Sequence, residues 1–271
     1  MTDRRTRGVL IIAAAVIVLI VVALSFYLLG RSNTATPSPA PTTASPTTTT
    51  TTTVPSPTYE PTDQSGSPES GLARGEAQAG RGGTSTGPDG LPLGYSHDEA
   101  GAATAATNYL MWMNSLRIAD KKLADSLADA SAADEKTKRA LIESFDTLRP
   151  GLTDLTTDQP EPARGAYAVA DYDDTRALVY IWSPEVTADS TGRTDHLWGI
   201  DAVSVVWADG DWKLDGGLVT MTGAAALDPT DPAGNPSPEE KHSILTRTPA
   251  DPGEITDSAD QAWFEYANAA R

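Results

Sequence analysis

Apolar positions change their spacing several times along this chain. The first eight residues are basic, through Arg4, Arg5 and Arg7, and Val9 to Leu29 is then free of charge. At about 1.5 Å per residue that run makes a helix of roughly 31 Å, the thickness of a bilayer core. A transmembrane helix is therefore expected at 9–29, with residues 1–8 as a cytoplasmic tail and the remainder extracytoplasmic. A cleaved signal peptide is the rival reading, but the run exceeds the usual apolar core of about 7–15 residues. Ser38-Pro39-Ala40 is also a poor cleavage site.

Residues 30–93 show no apolar period. Pro and Thr dominate at first, including Thr47 to Thr53, and glycines follow at Gly66, Gly71, Gly80, Gly82, Gly83 and Gly90. Such composition predicts a disordered stalk with polyproline II character in its first half.

Helical spacing begins after Gly94. Ser96 and Glu99 make a capping box that opens a helix near His97, with Ala102, Ala106, Tyr109, Leu110, Met113 and Leu116 along one face. Lys121–Ala130 and Ala132–Leu148 continue as helices until Pro150-Gly151. The period then shortens to two, over Ala166–Tyr172, Arg176–Val186 and His196–Trp207. Ala208-Asp209-Gly210-Asp211 reads as a hairpin turn into Trp212-Lys213-Leu214. Helices followed by an antiparallel meander give an α+β domain at 94–225. Residues 226–271 form a Pro-rich tail with a short helix expected at Ser258–Ala270, whose Trp263, Phe264 and Tyr266 dock on the domain.

Composition excludes more than it names. A net charge of −17 repels phosphates, so nucleic acid is not an expected partner. Cysteine is absent, which removes thiolate chemistry and Cys-ligated zinc. His97, His196 and His242 are far apart and form no paired metal motif, and no calcium loop is present. No cofactor is expected.

The order of helices and sheet, closed by Val205-Val206-Trp207-Ala208-Asp209-Gly210-Asp211-Trp212-Lys213-Leu214, resembles the nuclear transport factor 2-like superfamily. That resemblance implies helices packed on a curved antiparallel sheet, a cone enclosing a pocket. The layout of basic tail, one span, Thr/Pro stalk and external domain resembles membrane-anchored actinobacterial proteins of unknown function. It is also similar to single-span assembly subunits of type IV secretion and conjugation systems.

A cone pocket would place Asp201 as a base, Tyr109 as a donor, and Trp112, Trp182 and Trp198 as walls. The same aromatics, at helical and strand spacing, also serve as ordinary core. No G-x-S-x-G elbow supports a serine triad from Ser204, His196 and Asp195. The expectation is thus a non-enzymatic interaction or assembly module at the cell membrane, with envelope proteins as partners, as in a conjugation or secretion apparatus. A ligand-binding or isomerase- or hydrolase-like cone pocket is the other reading.

Overall fold

The computed structural model describes residues 71–216, 219–221, 234–246 and 261–269. The chain enters through β1 (Ala73–Arg74), β2 (Ser85–Thr86) and β3 (Pro92–Leu93), then forms α1 (Glu99–Met113), α2 (Lys121–Ser131) and α3 (Glu135–Leu148). Six strands follow: β4 (Leu155–Pro160), β5 (Ala166–Asp173), β6 (Arg176–Asp189), β7 (Thr194–Ala208), β8 (Asp211–Leu214) and β9 (Val219–Met221). After them come α4 (Pro238–Thr246) and β10 (Phe264–Glu265).

The main sheet runs β1-β10-β5-β6-β7-β8, with β4 continuing along β6 beyond β5 and β9 along β7 beyond β8. Long β6 and β7 form its spine, in register from Arg176 opposite Val206 to Ala188 opposite Thr194. Strand alternation sends Ala177, Val179, Ile181, Val203 and Val205 to one face, where they meet α1, α2 and α3. Tyr180, Trp182, Trp198 and Ile200 point to the other face, where Leu72, Leu245 of α4 and Trp263 cover them.

α1 is the central helix, and twelve of its fifteen residues are buried. Its small residues allow this: alanines at 102, 103, 105 and 106 let the sheet and loops approach from all sides. Thr104 and Thr107 return their hydroxyls to the carbonyls of Ala100 and Ala103, so they enter the core without orphaned protons. The cap is Asp98, whose Oδ1 accepts from Gly101 N at 2.6 Å, while Ser96 Oγ donates to that same carboxylate. The helix thus starts at Glu99, two residues later than the expected capping box implies.

Both ends of the described region are sewn into one seam. Gly75 N donates to Glu265 O, Ala267 N to Ala77 O, and Asn268 brackets Ala79 through its side chain. Tyr266 is fully buried with its hydroxyl 3.1 Å from that of Thr107. Lys241 of α4 and Glu265 of β10 form an ion pair at 2.8 Å, each side chain 1% exposed.

Several expectations are corrected. The sheet is open and covered on both faces, so the nuclear transport factor 2-like cone is not formed. Residues 71–93, assigned by composition to a disordered stalk, contribute β1–β3 because their polar backbone is satisfied by partners distant in sequence, such as Asn108. The terminal aromatics do dock, but as a strand in place of a helix: Phe264 pairs Tyr167. The apolar run at 9–29 lies outside the described residues. Among the described residues no helix is long and apolar enough to cross a membrane. The longest, α1, has fifteen residues and so spans about 22 Å against the roughly 30 Å needed. The expected single-pass anchor, cell-membrane location and integral membrane partner thus find no spanning helix among the described residues.

Candidate functional site

The five side chains expected in one pocket are divided by the sheet. Tyr109 lies on the helical side, fully buried, and its hydroxyl donates to Trp212 O at 2.6 Å. Burial, reinforced by the neighbouring Tyr95 and Asp211, pushes that phenol far above its ordinary value, so it stays neutral. Asp201 pairs in register with Ile181 and shares this face. Trp182 and Trp198 belong to the opposite face, their rings 4.3 Å apart. Trp112 sits at the end of α1, where its indole Nε1 donates to Asp89 O at 3.1 Å.

Trp112 does line a cavity, although a different one. A half-open cleft of about 380 Å³ lies where the end of α1 meets the connection from β4 to β5. Met111 and Trp112 form one wall, Pro160, Pro162 and Ala163 the other, and Ala79 closes an end. Arg117 and Arg164 stand at its polar positions.

Local sequence explains how these walls are held. Ser115 caps the short helical turn Leu116–Ala119, which turns Arg117 back over the Trp112 ring, 4.9 Å from its centroid. Arg117 Nε donates to Asp89 Oδ2 at 2.6 Å. Across the cleft, Pro162 begins another short turn, and Gly165 ends it against β6. A Cβ at Gly165 would lie 1.7 Å from Trp182 O, so only glycine lets the turn pass this closely. Arg164 is anchored through Nη1 to Glu161 Oε2 at 2.8 Å and through Nη2 to Gly234 O at 2.7 Å. Two guanidinium groups are therefore oriented before any ligand arrives, and each carries a carboxylate partner.

Next to the cleft is a cluster of acids. Asp158 of β4 lies opposite Thr187, and Glu185 of β6 opposite Pro160, which makes the two carboxyls diagonal neighbours on one face. That register brings them close enough to act on each other. Desolvation first, and then the charges of Asp158 and Asp201, push Glu185 up to about 8. Burial likewise raises Asp158. Among the described residues no group of three or more His, Asp or Glu side chains is arranged to hold a metal ion.

The cleft was not legible because its chemistry is dispersed. Trp112 reads as a pocket wall or as core, and no motif in the chain joins it to Met111, Arg117, Arg164 or the Pro160-Glu161-Pro162 stretch. The two prolines flanking Glu161 were the one available signal of a fixed wall.

A two-faced α+β sheet domain with an aromatic- and proline-walled cleft defines the chain's structural class. A family model described as a domain of unknown function (DUF8175) matches residues 30–235, and the chain belongs to that family. No curated protein and no solved structure matches it. The family match and the open sheet overturn the resemblance to anchored actinobacterial proteins with a cone domain and to conjugation subunits.

Proposed function

We propose that this domain acts by binding, without catalysis, and that the cleft between the end of α1 and the β4–β5 turn is its recognition site. The carrying observation is a cleft of about 380 Å³ with apolar walls and two pre-oriented arginines. Volumes of roughly 300–1,000 Å³ suit small ligands or a few side chains of a peptide. Met111, Trp112, Pro160 and Pro162 supply apolar contact, and the guanidinium groups supply donors for acceptor oxygens. Because Asp89 and Glu161 already balance the arginines, the fitting ligand is mainly apolar, with a carboxylate or amide oxygen at one edge.

The expected pocket is not assembled: Tyr109 spends its proton on Trp212 O, and Trp182 and Trp198 lie across the sheet from Tyr109 and Asp201.

Four methionines make a compact probe set. In protein labelled at the methionine methyls, a panel of small aromatic and aliphatic carboxylates and amides is expected to include compounds that shift Met111. Met113, fully buried two residues away, should not respond. Ala163→Trp fills the cleft and should abolish those shifts. A panel that leaves Met111 unmoved, or shifts that survive Ala163→Trp, contradicts the assignment.

A further inference from the structure

We propose that Asp158 and Glu185 form a proton-sharing clamp that fastens β4 to β6, and that alkali releases it and shifts the β4 wall of the cleft. The functional consequence rests on the cleft being the binding site; the clamp itself does not.

The geometry is that of an edge strand with few other attachments. β4 pairs with β6 and with no other strand among the described residues. Its last two residues, Gln159 and Pro160, line the cleft immediately after Asp158. Asp158 is 9% exposed and Glu185 is half-buried. Two ionised carboxylates held side by side on one sheet face repel each other. One retained proton converts that repulsion into an O–H to carboxylate hydrogen bond, with one carboxyl donating and the other accepting.

The surrounding charges favour keeping the proton. From β7, Asp201 adds a third negative group on the same face. Tyr266, beyond β10, is the neutral hydroxyl sensing Asp201. The turn at 116–119 packs against β4 and brings Arg117, which is committed to Asp89. The turn at 162–164 packs against β6 and brings Arg164, which is committed to Glu161 and Gly234. His196 sits opposite Val186, on the other face. No basic group offsets the rise of Glu185, so the retained proton relieves the repulsion that a lysine or arginine would otherwise balance.

The sign of the effect follows from linkage. Glu185 binds its proton more tightly in the folded chain than in the unfolded one, where about 4.5 is ordinary. Its stabilising contribution is complete below that value and is lost as pH rises through about 8. The pair titrates as a unit, so the midpoint belongs to both carboxyls.

Thermal unfolding of the full chain and of Glu185→Gln, followed from about pH 6 to about pH 9, tests the clamp. Wild type should lose several degrees more than the variant across this range, because the amide keeps a donor and carries no charge. Asp158→Asn should flatten the profile equally, which covers the case in which the first variant folds poorly. Equal pH slopes in wild type and both variants overturn the clamp. The Met111 methyl resonance reports the link to the cleft: it should inflect in the same pH window in wild type and stay still in Glu185→Gln. If unfolding titrates while Met111 does not, the coupling to the cleft is overturned, and the binding assignment stands or falls separately on Ala163→Trp.

Discussion

Where β7 turns into β8, the Asp211 carboxylate takes the amides of Gly94, Tyr95 and Trp212 at 2.8–2.9 Å, while Trp212 Nε1 donates to Ser96 O. His97 stacks on Trp207 with ring centroids 3.8 Å apart and nearly parallel. At the other end of the same strands, Arg117, Arg164 and Glu161 border open space, and Asp158 and Glu185 lie as diagonal neighbours on one sheet face. Both ends are rich in polar and aromatic side chains, yet at the hairpin end these bonds go to the backbone, whereas Arg117 and Arg164 line a cleft. The difference teaches that residue type alone does not locate a site. What matters is whether each polar group is already used to close the fold.

Removing Asp211 is the strongest way to break the contrast. Asp211→Ala leaves the amides of Gly94 and Tyr95 without their acceptor at a buried position and should cost about 3 kcal/mol in urea unfolding. A loss below about 0.5 kcal/mol would mean that the hairpin end is not structurally committed.

The Lys241–Glu265 pair ties the C-terminal seam to the outer face. Lys241→Met leaves a buried carboxylate without its cation and should destabilise by about 3 kcal/mol. Chemical denaturation of the variant beside wild type checks the magnitude.

The smallest stability effect is expected at the cleft. Arg117→Ala removes an ion pair whose partners are 35% and 45% exposed, so unfolding should change by no more than about 1 kcal/mol. Ligand-induced shifts of Met111 should nevertheless weaken, since Arg117 supplies one of the two oriented donors. Loss of stability comparable to that of Asp211→Ala would place Arg117 among the structural groups and erase the contrast.

Local signals were legible wherever they acted within a single element. The Asp209-Gly210 turn is visible in the chain and both residues adopt positive φ, 53° and 78°. The alternation through β6 and β7 and the stops at Leu148 and Pro150 were likewise readable. Long-range devices were not. Ala77, Ala79 and Gly80 become ordered by meeting Asn268, Tyr167 and Asn108, partners up to 189 residues away. β10 has two residues and no period of its own, so its aromatics read equally well as a helix. The second face of the sheet was missed for a related reason: Trp182 and Trp198 read as pocket walls until Leu245 and Trp263 are seen covering them.

The most direct test of the central claim is a methionine-methyl titration with carboxylate and amide ligands, wild type beside Ala163→Trp. The account predicts saturable movement of Met111, a silent Met113, and no response once the cleft is filled. Ligand shifts that bypass Met111, or that persist in Ala163→Trp, would contradict it.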